Sequence, residues 1–349
     1  MRVVFGRILS YNVNDGILGG SLSMSNFDEL KCRVCQNSDD NRTYTVKEMM
    51  FGYRDNFEYF QCSHCGCLQI KEIPDNMEKY YPSNYWGKPK NILDKKDRSL
   101  KSWLKLQRTK YLLESPNIVG KLVSSYTAIG NAPVWSGWDW IGDFKRINIG
   151  INSAILDVGC GVGSLLYYLR EQGFSNLTGV EPYAPRNTLV EGVTIYNKEL
   201  KNIEKQFDFI TLHHSFEHMA EPYEVFKQLY RLLNPQRYLL LRIPVVSSWA
   251  WEKYQVNWVQ LDAPRHFFLH TPDSIQVLCE KTGFQLSHIV YDSNEFQFWA
   301  SEQYLKDIPL RESNSAKFSS EEIESFKRKA KELNQEHRGD QACFYLYKP

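Results

Sequence analysis

The sequence has no stretch approaching the ~18 consecutive apolar residues of a spanning helix, so no membrane crossing is expected. It also lacks a net field: 42 Lys and Arg stand against 41 Asp and Glu, which gives no general argument for nucleic acid or an anionic membrane as partner. Residues 1–23 lack a long apolar core and a small-residue cleavage site, so they are not read as a signal peptide. Residues 1–29 are expected to be a disordered leader, with Met24 an alternative start. Without a secretion signal, the eight cysteines are expected as metal ligands or free thiols in a cytoplasmic protein, not as disulfides. No internal repeat and no low-complexity tract is present. The length of 349 residues suggests two domains at roughly 150 residues each.

The most informative run is Ala154 to Pro182, AILDVGCGVGSLLYYLREQGFSNLTGVEP. An apolar strand carries Asp157 near its end, Gly159, Gly161 and Gly163 alternate around Cys160, and a helix starts at Ser164. A second strand, Leu177 to Val180, runs into Glu181. Glycines at such a turn let the backbone approach a ligand, and a helix start offers unpaired N–H groups. An acid ending the second strand sits where a ribose is held in a doubly wound sheet. The dinucleotide fingerprint GxGxxG needs its third glycine one residue later, where this chain has Ser164, so the spacing counts against NAD.

Cys32 and Cys35 form one CxxC and Cys62 and Cys65 another, with residues 36–61 between them. Four thiolates in two such knuckles match tetrahedral zinc, and four sulfurs leave no open position, so the metal is expected to be structural. His64 and Cys67 are spare candidate ligands. YTVKEMMF and FEYFQC read as short strands of this knuckle. From Gly87 to Lys110 nine Lys or Arg face two Asp over an approximate helical stripe. A solvated helix face is the plainer reading, and an anion site for a phosphate-bearing acceptor or a nucleic-acid backbone the sharper one. Pro133 to Phe144 holds three tryptophans, suited to packing or to sugar stacking.

Downstream, Val193–Tyr196 and Phe207–Leu212 read as strands, and HHSFEHMAEP lies at the carboxyl end of the latter, beside the glycine loop in a doubly wound sheet. His213, His214, Glu217 and His218 thus crowd one strand end. A helix follows over Tyr223–Leu233, ended by Asn234-Pro235, then a strand over Tyr238–Val245. WVQLDAPRHFFLHT crowds Asp262, Arg265, His266 and His270 into one loop, and Thr271-Pro272 caps the next helix. Strands over Leu286–Tyr291 and ACFYLYK bracket further helices. The domains read as a knuckle over 30–86, a helical and aromatic linker over 87–150, and an α/β domain over 151–349.

The order LDVGCGVG, FDFITLHHSFEHMAEP, LNPQRYLLLRIP, LDAPRHFFLHTP and EKTGF resembles class I S-adenosylmethionine-dependent methyltransferases, including the ubiquinone-type O-methyltransferases. More closely, the chain resembles bacterial proteins that join a zinc knuckle to such a domain and methylate sugars, surface polysaccharides or natural products. The resemblance implies a Rossmann-like seven-stranded sheet with a reversed last hairpin. It implies that Asp157, Gly159, Cys160, Gly161 and Gly163 line the methionine and ribose of the donor, that Glu181 holds the ribose hydroxyls, and that Glu199 and His213 border the donor. A hydroxyl acceptor must lose a proton, and His214, His218 or His266 could take it, since an ordinary imidazole titrates at ~6.5. The expected acceptor is a small molecule or glycan. An RNA methyltransferase using the knuckle and the basic stretch is an alternative, against which no [ND]PPY tetrad occurs; a non-catalytic donor-binding protein is another.

Overall fold

Alternating β-branched and aromatic residues form the first strands among the described residues. RTYTVK and NFEYFQ form the antiparallel strands β1 (Arg42–Lys47) and β2 (Asn56–Gln61), and β3 (Leu68–Ile70) pairs with β2. The computed structural model describes residues 30–82, 99–125, 140–184 and 187–349. The expected leader, the basic residues 88–98 and Trp135 and Trp138 lie outside the described residues.

The remainder of the basic stretch forms helix α1 (Leu100–Leu113), capped by the Ser99 hydroxyl, and is followed by α2 (Ile118–Ser124) and α3 (Trp140–Arg146). Helix α1 does not stand free: Lys105 pairs with Glu171 at 2.9 Å, and Leu106 lies so close to Gly173 that a Cβ there would come within 2.5 Å of it. Helix α1 is thus laid on the α/β domain with Lys105 and Arg108 half-buried, while Lys101 and Trp103 are exposed.

That domain alternates as expected: β4 (Ile155–Val158), α4 (Ser164–Glu171), β5 (Leu177–Val180), β6 (Thr188–Val190), β7 (Val193–Tyr196), β8 (Phe207–His213), α5 (Pro222–Leu232) and β9 (Leu233–Pro244). Then come α6 (Trp249–Tyr254), β10 (Phe268–Leu269), α7 (Pro272–Thr282), β11 (Gln285–Tyr291), α8 (Phe296–Tyr304), α9 (Ser320–Gln335) and β12 (Gln341–Lys348). Among the described residues the large sheet runs β11-β12-β9-β8-β4-β5-β7-β6. Strands β7, β5, β4, β8 and β9 are parallel, and β12 is antiparallel to both β9 and β11. This is a doubly wound, Rossmann-like sheet. Its seven expected strands are joined by an eighth, β6, which folds back on β7 through Gly192 at φ 82°. The chain leaves β4 in one direction through β5 and β7 and returns to the other side through β8 and β9. The carboxyl ends of β4 and β8 therefore border the crevice where such sheets bind ligands.

Burial follows the pattern of the sequence. β4 is buried at every position, and α5 sends Phe226, Leu229 and Leu232 into the core at helical spacing. Each such side chain contributes about 1.5–3 kcal/mol when fully removed from water. Thr271 and Ser319 both close capping boxes, at the starts of α7 and α9.

The cysteine-bearing segment and the α/β domain share one core, running from Val34, Tyr59 and Leu68 to Leu212, Phe268 and Ile275. β10, too short to be read from the sequence, pairs with β3 in the register Phe268↔Gln69 and Leu269↔Leu68, 199 and 201 residues apart, and so supplies the fourth strand of the small sheet. The segment between β11 and β12 adds a second contact. There the amides of Leu310 and Arg311 donate to the carbonyls of Met49 and Met50 at 2.8 and 3.0 Å. No helix among the described residues is long and apolar enough to cross a membrane.

Candidate active site and cysteine centre

The loop after β4 turns on three left-handed glycines, with φ of 72° at Gly159, 52° at Gly161 and 79° at Gly163. Their roles differ. A Cβ at Gly159 would lie 2.4 Å from Ser215 Cβ, and one at Gly163 would lie 2.5 Å from Ile195 Cδ1. At Gly161 it would meet no atom within 4 Å, so that position forms the wall of an open cradle. Two acids close the cradle. The Glu181 carboxylate accepts the amides of Gly161 at 3.2 Å and Tyr183 at 3.1 Å, while burial pushes its pKa up. Asp157 is buried, and desolvation, followed by the Glu181 charge, pushes it up to about 8. A buried carboxyl whose ionisation is opposed by desolvation and by a neighbouring carboxylate forms an arrangement that a cationic ligand relieves. The residues thus fit a donor carrying a sulfonium and an ammonium.

Beside this cradle, the Ser215 hydroxyl donates to the Val158 carbonyl at 2.7 Å, which ties the glycine loop to the histidine segment. His214 adopts φ 49°, an uncommon backbone conformation for a side-chain-bearing residue. His218 Nδ1 lies 2.8 Å from the Arg265 carbonyl, which can only accept, so Nδ1 carries a proton and Nε2 presents a lone pair. The Tyr81 hydroxyl approaches the same nitrogen at 3.3 Å. His266 Nδ1 is held likewise by the Gln260 carbonyl at 2.7 Å. Desolvation, then the nearby His218, pushes His266 down to about 4 despite Asp262 and Glu217, so its imidazole is neutral at physiological pH. Between them sits Glu217, completely buried. Burial opposes its ionisation, but His214, His218 and His266 outweigh that and hold its pKa at about 2. Glu217, His218 and His266 bring ligand atoms within 4.8 Å of one another and could hold a metal ion.

Arg265, from the same loop, is fully buried and donates to Asp262 at 2.6 Å, to Glu48 at 2.8 Å and to the Tyr80 carbonyl at 3.2 Å. His270 is a core residue: Nδ1 meets the Ser274 hydroxyl at 2.9 Å, the ring stacks on Phe216, and burial pushes its pKa down to about 3.

The four cysteines converge as their spacing predicts. Sulfur separations are 3.7 Å for Cys32 and Cys65 and 3.4 Å for Cys35 and Cys62. A tetrahedron with ~2.3 Å metal–sulfur bonds has edges of about 3.8 Å. The two knuckles repeat one backbone pattern. Cys32 N–H donates to Asn37 O and Gln36 N–H to Cys32 O, just as Cys62 N–H donates to Cys67 O and Gly66 N–H to Cys62 O. Gln36 and Gly66 share the left-handed conformation, at φ 71° and 70°. The Gln69 side-chain amide donates to Cys32 Sγ at 3.1 Å, which suits a thiolate. Of the spare candidates, His64 is exposed and Cys67 Sγ turns away into the core, 3.9 Å from His270 Nδ1. The group that could hold a metal is Cys32, Cys35, Cys62 and Cys65.

Asp157, Gly161, Glu181, His214, Glu217, His218 and His266 thus gather around one crevice. Cys160 turns its sulfur toward Gly179, where a Cβ would lie 2.5 Å from it, so only its backbone faces the loop. His213 is the last residue of β8, and burial pushes its pKa down. Glu199 is exposed on the rim and paired with Lys201. Three neighbours of the site were not singled out from the sequence: Arg242, Asp292 and Glu48. The signal for Arg242 was present, a lone arginine within the apolar strand YLLLRIP.

Residues 143–289 match the sequence model of a family described as a methyltransferase domain. Over 99 residues the chain is 31% identical to the mitochondrial ubiquinone biosynthesis O-methyltransferase of Saccharomyces cerevisiae, covering 25% of this chain and 32% of the yeast protein. The chain therefore spans about a third of that relative's length. Among solved structures, it is similar to an S-adenosylmethionine-dependent methyltransferase from Archaeoglobus fulgidus, at 19% identity and a TM-score of 0.37, covering 56% of this chain and 86% of that one. It is also similar to a possible histamine N-methyltransferase from Thermotoga maritima, at 18% identity and a TM-score of 0.38, covering 57% of this chain and 83% of the other.

Proposed function

We propose that this methyltransferase domain transfers a methyl group from S-adenosylmethionine to a hydroxyl of a small-molecule or glycan acceptor. The observation that carries the reading is the cradle at Gly161, closed by two charge-starved carboxylates and tied through Ser215 to the histidine segment. In this reading Asp157, Gly159, Gly161 and Gly163 hold the amino-acid portion of the donor and Glu181 takes ribose hydroxyls. Bound there, S-adenosylmethionine supplies a methyl group that needs little further activation.

The remaining work falls to the chain: to orient the acceptor, to exclude water and to receive a proton. His218 is suited to the last. Its Nδ1–H is committed to the Arg265 carbonyl, so Nε2 is free to accept, and it is less buried than His266. His266, pushed down to about 4, is a poor base at physiological pH. Glu217 is the charge against which an imidazolium at His218 is stabilised.

We infer further that Cys32, Cys35, Cys62 and Cys65 hold zinc, with four sulfurs and no open position, in a structural role.

The test is to incubate the purified chain with methyl-labelled S-adenosylmethionine and an extract of cells lacking it. Base-stable label in saccharide or other small-molecule fractions is the expected result. Label removed by ribonuclease overturns the acceptor class, and failure to bind the donor overturns the reading of the cradle.

A further inference from the structure

Behind the histidine segment lies a buried polar chain for which methyl transfer, as described above, has no use. Arg242, on β9, is 3% exposed in its side chain, and its Nε donates to Asp292 Oδ2 at 2.6 Å. Asp292 is held in turn by the Gln341 side-chain amide at 2.8 Å. A second nitrogen of Arg242, NH1, lies 3.2 Å from His214 Nε2. A guanidinium has only donors and does not lose its proton in proteins, so His214 Nε2 must accept. The proton of a neutral His214 then sits on Nδ1, which lies 3.4 Å from Glu217 Oε1. An N–H on Nε2 would face the N–H of the arginine.

The other two histidines cannot replace that donor. His218 and His266 spend their Nδ1 protons on the carbonyls of Arg265 and Gln260, and in the neutral state their Nε2 atoms carry lone pairs and no proton to donate. Glu217 is completely buried, and neither of its oxygens has a hydrogen bond of ordinary geometry. A carboxylate in that position needs a positive dipole fixed in direction. The His214 backbone N–H is held by the Arg242 carbonyl at 2.9 Å, so β9 clamps this residue at both its backbone and its ring.

We propose that Arg242, anchored by Asp292, is a positioning residue that fixes His214 as the Nδ1–H tautomer and through it holds Glu217 behind His218. His214, its lone pair consumed, is then not the proton acceptor. This rests on the reading of the site as one for methyl transfer, but its first consequence can be measured without turnover.

The experiment uses the full chain labelled with 15N-histidine. Long-range proton–nitrogen correlations report which ring nitrogen of each histidine carries hydrogen, and His214→Gln identifies the signal. The wild type should show His214 as the Nδ1–H tautomer at pH 7.5. Arg242→Met should convert it to Nε2–H and lower kcat by about 10-fold or more, as is typical of outer-shell partners of a working imidazole, with the KM for S-adenosylmethionine unchanged. Arg242→Lys, which keeps a donor at Nε2, should restore the tautomer and most of the rate. An Nε2–H or doubly protonated His214 in the wild type overturns the proposal, as does Arg242→Met with an unchanged tautomer or an unchanged kcat. The wild-type spectrum decides even where Arg242→Met fails to fold. A chain with the expected tautomer but no transfer to any acceptor would instead refute the methyl-transfer reading.

Discussion

Replacing Asp157 by asparagine tests the donor cradle through its charge. Burial, then Glu181, pushes this carboxyl up to about 8 from an ordinary 3.8. A carboxyl whose folded-state pKa lies above its unfolded value binds its proton more tightly in the folded chain. Its contribution to stability is therefore complete below about 3.8 and is lost as pH rises toward 8. The loss runs at about 1.4 kcal/mol per pH unit within that window. Between pH 6 and 8 the donor-free wild type should accordingly lose about 2 kcal/mol relative to Asp157→Asn, measured as the difference between their denaturant unfolding curves. Donor binding reverses the sign. A cation in the cradle favours the ionised carboxylate, so donor affinity in the wild type should rise nearly 10-fold per pH unit up to about 8, with close to one proton released per donor bound at pH 7. Calorimetry in two buffers of different ionisation heat reads that proton, and comparison with Asp157→Asn cancels the titration of the donor itself. A pH-independent difference in stability, together with equal proton release by the two proteins, would refute the reasoning.

Gly161→Asp should abolish donor binding while leaving the unfolding transition within about 1–2 kcal/mol of wild type, since its Cβ enters open space and only the left-handed backbone is penalised; retained turnover would sink the site assignment. Cys62→Ser should lower metal content and Tm together, and a variant that keeps full stability without metal would refute a structural centre. His218→Gln should reduce kcat by about 10²- to 10⁴-fold with little change in donor affinity, whereas an equal loss in both would make His218 a binding residue.

The legible parts of this chain were the local ones. A strand, a glycine turn and a helix start lie within 29 residues, Ala154 to Pro182, and the two CxxC knuckles each close on themselves through bonds to the fourth and fifth residues on. Helix ends were legible for the same reason, as at Thr271 and Gly283, where cap and stop lie next to the helix they define. What escaped depends on partners far apart in sequence. Glu48 meets Arg265 across 217 residues and Arg242 meets Asp292 across 50, and no spacing rule reports either pair. The choice among the histidines also escaped. Each is an ordinary ionisable side chain in the sequence, and only the carbonyl or guanidinium placed against one ring nitrogen decides which lone pair is left to work.

The cysteine centre contributes no atom to the crevice, yet it is bound to the loop that shapes it. The Tyr59 hydroxyl donates to the His266 carbonyl at 2.8 Å, the Thr271 hydroxyl donates to the Cys65 carbonyl, and β10 is hydrogen-bonded to β3. Between these ties lies Arg265, whose side chain grips Glu48 and whose carbonyl fixes the proton of His218. Residues 30–82 have no core of their own apart from the one they share with the α/β domain, so the small sheet and that domain support each other. Cutting one tie shows the scale: without Arg265, Glu48 is a buried charge with its partner removed, a change that costs about 3–5 kcal/mol. Disorder in the knuckle therefore has a direct route to Gln260, Arg265 and His266, and the two chemistries proposed for the chain, sulfur ligation and proton acceptance, meet in one piece of backbone between Trp258 and Thr271.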